Sequence, residues 1–313
     1  MSELPSNGKA YVLATAAYNE EAYLEKVIAS VVSQTVRPRK WIIVSDGSTD
    51  RTDEVVQKYA GQYPFIQLLR ITEEHPRNFA AQVNAINAGF ARLEGMDYSY
   101  IGNLDADVSF GPSYFGSLLE KFDQDHSLGL AGGAIFEENG REFRGRSSNS
   151  IRAVAHAVQL FRRKCYEDFG GYMPLKYGGP DWHAEIVARM KGWRVESFPE
   201  LRVFHHRPTG TADRLLRHVF RQGCLDYSVG SYPLFEIFKC IRRLRDRPLI
   251  IGAAIRLAGF AWSYCRRQER QVSQEIVDFL RAEQRERLKA LVYWPRARTS
   301  KGGASNFNCT LPL

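Results

Sequence analysis

Two carboxylates two residues apart, Asp105-Ala106-Asp107, follow an apolar run and can both reach one hard cation. Mg2+ or Mn2+ held in this way keeps coordination positions open for phosphate oxygens and can neutralise a departing diphosphate. Taken alone the pair is a short motif, and two solvated acids in a loop have the same spelling. Two further polar clusters follow apolar runs. Tyr18-Asn19-Glu20-Glu21 comes after Tyr11–Thr15, and Asp46-Gly47-Ser48-Thr49-Asp50 comes after Trp41–Val44. Tyr18 can stack on a nucleobase and Asp46 can accept a base N–H. Asn19 and Ser48 equally suit helix N-caps, and Asp50 with Asp53 suits a first helical turn. Further along, Gly178-Gly179-Pro180-Asp181-Trp182-His183-Ala184-Glu185 sets a carboxylate beside glycines that permit close backbone approach to a ligand. Asp181 suits either a general base or an N-cap, with His183 and Glu185 as second choices. Glu185 lies four residues from Asp181 on one helix face and can instead pair with Arg189. His205-His206-Arg207 closes another apolar run; adjacent strand residues point to opposite faces, so only one of the two histidines can turn toward a site. His156 and Trp182 suit an acceptor pocket or plain packing. Arg162 and Arg163, beside Phe161, read as surface or acceptor-side charges.

Positioning these groups requires an alternating framework. Apolar runs at Tyr11–Thr15, Trp41–Val44, Phe65–Leu69 and Tyr98–Ile101 read as strands. Segments with helical spacing lie between them, around Glu20–Val32, Val55–Tyr59 and Asn78–Leu93. Such alternation predicts an α/β fold with a mainly parallel sheet covered by helices, and ligands bind such sheets beyond the carboxyl ends of the strands. Residues 127–210 read as more irregular, with glycine pairs at 132–133, 170–171 and 178–179, a helix from Trp182 to Lys191, and short strands at Val195 and Leu201–Phe204. The last third reads as mostly helical, and the stretch from Pro295 as loosely ordered.

The chain has 313 residues with the composition of a globular protein. Its net charge of +8 is unevenly placed: residues 1–200 carry −4 and residues 201–313 carry +12. Five widely spread cysteines with no Cys-x-x-Cys indicate neither a disulfide framework nor a cysteine zinc site, and free thiols fit a reducing compartment. The opening MSELPSNGKA has no apolar signal region, so a cytoplasmic placement is expected. Leu249–Cys265 is the most apolar segment. With 17 residues and Arg256 at its centre it is too short and too polar for a conventional span, which needs about 20 apolar residues. Basic residues flank it: Lys239, Arg242, Arg243, Arg245 and Arg247 before, Arg266, Arg267 and Arg270 after. That pattern suits a helix lying at an anionic membrane surface; a buried helix with solvated ends is the alternative. No nucleic-acid motif accompanies the basic charge, so nucleic acid is not expected as a partner.

Taken together, Tyr18-Asn-Glu-Glu21, Val44-Ser-Asp-Gly-Ser-Thr-Asp50, Ala85-Ile-Asn-Ala-Gly89 and Asp105-Ala-Asp107 resemble, in order and spacing, the family 2 glycosyltransferases of the GT-A fold, over about residues 10–210. The resemblance implies a Rossmann-like GT-A catalytic domain over 1–211. A basic, apolar helical extension over 212–294 and a tail over 295–313 would follow. It also implies a nucleotide-sugar donor (a UDP-sugar first, GDP- or dTDP-sugars as alternatives), Mg2+ or Mn2+, and inversion at the anomeric carbon. By the same resemblance the backbone at Ala16, with Tyr18, Glu20 and Asp46, holds the nucleoside. Arg77 and Asp105 lie along the ribose and diphosphate, and Asp107 is the main metal ligand. His205 or His206 supplies a third metal ligand or a diphosphate contact, with His205 the better fit to the family spacing. Asp181 is the base that takes the acceptor's proton. One departure is Ala16, where many relatives carry Pro, a change that bears on donor preference. Family analogy and the basic C-terminal third together lead to a lipid-linked saccharide acceptor, used in surface-glycan synthesis at the inner face of the plasma membrane, with oligomeric state left open. A sugar-phosphate nucleotidyltransferase is the alternative enzyme, but Thr15–Glu21 lacks the glycines of its phosphate loop.

Overall fold

In the computed structural model the described residues are 10–72, 79–139, 142–146, 149–207, 212–245 and 250–293. Among them the chain divides into two compact units, one within 10–174 and 180–207, the other within 175–179 and 212–293. Arg77 and the tail from 295 lie outside the described residues.

The first unit grows from β1 (Tyr11–Ala17), whose side chains are almost all buried on both faces, as a central parallel strand requires. Helix α1 (Leu24–Val32) buries Leu24, Val27, Ile28 and Val31, one stripe at helical spacing. Then come β2 (Lys40–Asp46), α2 (Thr52–Ala60), β3 (Ile66–Ile71), α3 (Phe79–Ala91) and β4 (Tyr100–Asn103). Helix α3 packs closely because Gly89 has no side chain: a Cβ there would stand 3.0 Å from both Ala14 Cβ and Val44 Cγ2. Behind β2, the buried Trp41 indole donates to Thr15 Oγ1 at 2.9 Å and ties β2 to β1.

The rest of this unit comprises β5 (Val108–Phe110), α4 (Tyr114–Gln124), β6 (Leu128–Asn139), β7 (Glu142–Gly145), β8 (Leu160–Arg162), α5 (Arg163–Phe169), α6 (Pro180–Met190) and β9 (Arg194–His205). The sheet order is β3-β2-β1-β4-β8-β6-β9-β5, with β7 beside β6. Strands β3, β2, β1 and β4 run parallel, as the alternation predicts. Past β4 the sheet is mixed: β8 is antiparallel to β4 and β6, β9 is parallel to β6, and β5 is antiparallel to β9.

The middle of the chain is more regular than its glycines suggest. Strands β6 and β9 each run 12 residues, and the two short strands expected at Val195 and Leu201–Phe204 are one. Gly133 does not break β6; it admits a close approach, since a Cβ would fall 2.1 Å from Leu201 O. There the pairing jumps from Gly133–Phe198 to Ala134–Arg202, so Pro199 sits in the bulge, where no N–H is needed.

The second unit contains α7 (Ala212–Ser228), α8 (Pro233–Arg242), α9 (Ile251–Cys265) and α10 (Gln274–Tyr293). Helices α7 and α9 cross at two glycines. A Cβ on Gly223 would meet Arg256 O at 1.9 Å, and one on Gly259 would meet Phe220 O at 2.1 Å. Helix α10 is tied to the start of α8 by Gln284 Oε1, which accepts from the Tyr232 N–H at 2.7 Å. Among the described residues no helix is long and apolar enough to cross a membrane.

Candidate active site

The loops that leave β1 and β2 are joined to each other by side chains. Asn19, in the left-handed region at φ 53°, accepts from the Thr49 N–H at 2.8 Å through Oδ1, and its own N–H donates to Ser48 Oγ at 3.2 Å. The Glu20 N–H donates to Thr52 Oγ1 at 2.8 Å, and the Glu21 N–H to Asp50 Oδ2 at 3.1 Å. Asn19 and Ser48 are therefore not helix caps. The residues preceding α1 and α2 are Tyr23 and Arg51, neither with a side-chain cap bond. The long-range bonds win because the two parallel strands deliver both loops to the same edge of the sheet.

Beyond that edge lies a cavity of about 480 Å³. From β1 it is lined by Ala16, Ala17, Tyr18 and Glu20, and from β2 by Asp46, which is only 3% exposed. From α3 come Ala81 and Gln82, and from the turn after β4 come Asp105, Ala106 and Asp107. Arg207 completes the wall. Six predicted site residues thus meet around one space: Ala16, Tyr18, Glu20, Asp46, Asp105 and Asp107.

The acidic turn is fixed by its backbone. The Leu104 N–H donates to Ala14 O, the Asp105 N–H to Ala157 O, and the His206 N–H to Asp107 O. Asp105 Oδ1 faces His156 Nδ1 at 3.3 Å and accepts from Gln82 Nε2 at 3.4 Å. Burial raises the Asp105 carboxyl, but the hydrogen bond and charge of His156 outweigh it and hold the group below its ordinary value. Asp107 Oδ2 accepts from Arg207 Nε at 2.9 Å and lies 3.5 Å from His205 Nε2. Asp107 Oδ1 is buried and has no partner among the described residues.

Arg207 also binds Glu20. Burial pushes the Glu20 carboxyl up to about 7; Arg207 opposes this, while Asp107 and Asp105 add to it. Four carboxylates therefore crowd the wall against the guanidinium of Arg207. The buried Asp107 Oδ1, without a partner among the described residues, is an oxygen donor of the kind that Mn2+ or Mg2+ takes, and it stands beside a second acid in the cavity wall. Among the described residues no group of three His, Cys, Asp or Glu is arranged to enclose a metal. An open site of this kind leaves positions for phosphate oxygens.

The two histidines separate as strand geometry requires. His205, which ends β9, turns to Asp107, whereas His206 pairs with Ser109 Oγ at 2.7 Å and meets the Phe143 ring edge-on. His206 is thus held away from the acids by its own partners.

Asp181 is the second residue of α6, inside its first turn, rather than the residue that precedes the helix. Gly178 and Gly179 before it have φ of 90° and 86°, a conformation that favours glycine. Asp181 is half-buried and does not line the cavity, but its charge raises the pKa values of His156, Tyr172 and Glu185. Against the opposing effect of burial, His156 is raised above its ordinary value by Asp105 beside it and by the charge of Asp181. Its carbonyl accepts from Asn103 Nδ2, and Asn103 Oδ1 in turn accepts from the buried Tyr172 hydroxyl.

The second-choice bases are enclosed. Burial lowers His183 to about 4 and raises Glu185 to about 8. Glu185 accepts from the Val154 N–H at 2.7 Å and lies 3.7 Å from Arg189, the pairing its spacing allows. Trp182 is half-buried in α6. Arg162 is structural: it donates to Phe122 O and Leu128 O and covers the Tyr100 and Phe122 rings. Arg163 pairs with Glu167. Sequence reasoning missed Gln82, which carries no signal beyond its helix. It also missed the part Arg207 plays, although that residue directly follows the two histidines.

The sequence profile of Glycosyl transferase family 2 matches residues 13–177, more than half of the chain. The chain belongs to glycosyl transferase family 2. Among curated relatives, the poly-beta-1,6-N-acetyl-D-glucosamine synthase of Staphylococcus aureus (strain COL) is 29% identical over 207 residues. That match covers 59% of this chain and 47% of the synthase. The chondroitin synthase of Pasteurella multocida (strain Pm70) is 33% identical over 112 residues, 36% of this chain and 11% of that protein. The chain therefore spans about half the length of the first and a small part of the second.

Among solved structures, the mannosyltransferase PcManGT from Pyrobaculum calidifontis, in complex with GDP-Man and Mn2+, superposes with a TM-score of 0.53. It is 17% identical, over 90% of this chain and 80% of that one. S. aureus TarS in complex with UDP-GlcNAc gives 0.52 at 12% identity, over 87% and 78%. At these identities the likeness establishes the GT-A type of fold.

Proposed function

We propose that this chain is an inverting glycosyltransferase that moves a sugar from a nucleotide-diphosphate donor to an acceptor hydroxyl. The observation that carries the reading is the cavity beyond β1, β2 and β4, where Asp46 and Asp105-Ala-Asp107 converge and Asp107 Oδ1 stands buried without a partner among the described residues. The nucleoside lies against the Ala16 backbone, Tyr18, Glu20 and Asp46, and the diphosphate along Asp105 and Arg207. Asp105, Asp107 and His205 would hold Mn2+ or Mg2+, which supplies positive charge for the departing diphosphate. Asp181 takes the proton of the acceptor hydroxyl as that oxygen attacks the anomeric carbon. A UDP-sugar is the first donor to test, with GDP- and dTDP-sugars beside it. The acceptor is a lipid-linked saccharide of surface-glycan synthesis, presented at the cytoplasmic face of the membrane. The relative named as a poly-N-acetylglucosamine synthase and the basic C-terminal third support that choice.

A donor screen with Mn2+ and Mg2+ tests this reading, following nucleotide release and protection against melting. A nucleotide sugar that raises the melting temperature in the presence of metal supports it. If no nucleoside diphosphate or nucleotide sugar shifts the transition, the reading fails.

A further inference from the structure

Arg256 lies at the centre of the apolar helix α9, and a charge there would spoil any apolar surface. The helix turns it inward. Ala253, Arg256, Gly259, Phe260 and Ser263 form the buried face, and Arg256 pairs with Asp226 Oδ2 at 2.6 Å and Glu236 Oε1 at 3.1 Å. Lys239 completes the cluster, 2.8 Å from each of the same two acids. The outward face of α9 is left uncharged and still apolar: Ile251 is 62% exposed and Trp262 48%, with Leu257 between them. Helix α8 behaves alike. It buries Phe235, Glu236 and Cys240 and shows solvent Leu234, Ile237 and Ile241, a stripe that Leu244 extends. The Ile250 N–H donates to Leu244 O at 3.1 Å, so the two stripes meet where α8 gives way to α9. Ten of the thirteen exposed large apolar side chains among the described residues lie between Phe220 and Tyr264. A patch of that kind marks an interaction surface.

Its rim identifies the occupant. Residues 230–268 contain eight Lys and Arg against two acids, Glu236 and Asp246; the buried cluster takes up Lys239, Arg256 and Glu236, which leaves six basic residues against one acid. Arg242, Arg266 and Arg267 are exposed, and Arg266 lies over the Trp262 ring at 4.2 Å. An aromatic and basic end beside aliphatic side chains matches the layered polarity of a lipid interface. A second copy of this chain is a poor fit, because a two-fold contact would set the same arginines against each other.

We infer that the outward face of α8 and α9 docks on an anionic lipid bilayer, with its aliphatic side chains below the headgroups and its arginines among the phosphates. This rests on the functional reading only for the placement of the acceptor.

The test is co-sedimentation of the full chain with vesicles of phosphatidylcholine, alone or mixed with phosphatidylglycerol. Binding to the mixed vesicles, weakened by salt, with a blue shift in fluorescence that Trp262→Phe abolishes, is the expected result. The exposed double variant Ile237→Glu/Ile241→Glu should partition about 100-fold more weakly. Donor-induced protection against melting should be unchanged in that variant, so a failure here is distinguishable from a failure of the glycosyltransferase reading. A wild-type chain left in the supernatant by anionic vesicles overturns the inference. So does dimerisation that the double variant abolishes in the absence of vesicle binding.

Discussion

Asp107 in one unit and Asp226 in the other are both carboxylates in a protein interior, and their surroundings differ. Among the described residues around Asp107 the acids outnumber the cations. Glu20, Asp46 and Asp105 line the same cavity, Arg207 lies on its wall, and one Asp107 oxygen has no partner among the described residues. Around Asp226 the signs balance, with Glu236 facing Lys239 and Arg256. The apolar surfaces are arranged in the opposite sense. The sheet unit buries nearly all of its large aliphatic side chains, whereas the helical unit displays a run of them beside its own buried core. Uncompensated buried charge is costly and persists where a ligand supplies the missing sign. A compensated cluster fixes how helices pair and has nothing left to offer a ligand.

Substitution should separate the two kinds of charge. Asp181→Asn is expected to lower sugar transfer by about 10²–10⁴-fold and leave donor-induced protection intact, measured by product formation beside thermal shift. Asp107→Asn should cost about 10²–10³-fold in transfer while the melting temperature stays near that of the wild type. Arg256→Ala should do the reverse. It leaves Lys239 alone against two buried acids and should cost about 3–5 kcal/mol in chemical denaturation, with transfer to a soluble acceptor retained below the transition. If Asp107→Asn destabilised the fold as much as Arg256→Ala does, the distinction between the two clusters would collapse.

Glu185 sharpens the contrast inside the sheet unit. Its folded pKa is about 8 against an ordinary 4.5, chiefly because it is buried. The folded state therefore holds its proton more tightly than the unfolded chain. That contribution is complete below pH 4.5 and is lost as pH rises through 8. Glu185→Gln, which can keep the bond from Val154, should flatten the decline in stability between those values and be the more stable protein at pH 8, by a few kcal/mol at most. The smallest effect is expected at Arg207, which stands on Asp107 Oδ2. Arg207→Gln should tighten binding of Mn2+ alone by about ten-fold in a calorimetric titration. No change would mean that the guanidinium and a cation do not compete for that carboxylate.

The parallel half of the sheet and its acidic loops were legible because β1, β2 and β4 end in short motifs that local sequence spells out. What stayed hidden depended on distant partners. Gly132-Gly133 and Pro199 are breakers by local rules, yet the paired strands β6 and β9 need them, one for close approach and the other inside a bulge. Strand alternation stated that one histidine of the pair would turn to the acids; the β5–β9 register and the Ser109 hydroxyl decide that it is His205. Asn19 and Ser48 have the composition of caps, and only the convergence of two loops about 30 residues apart reveals their bonds to each other. His156 and Arg207 reach Asp105 and Asp107 across 51 and 100 positions respectively, a separation that leaves no trace in spacing.

The clasp between the β1 and β2 loops has a consequence for recognition. Asn19 holds Thr49 as Ser48 holds Asn19, so the two segments are tied to each other by the chain's own groups. A nucleoside arriving there meets a wall whose shape folding has already set, and little chain ordering accompanies its capture. The same coupling makes the two loops a single mutational target. Asn19→Ala and Thr49→Pro each remove the bond between Asn19 Oδ1 and the Thr49 N–H, and together they should weaken donor affinity hardly more than either does alone.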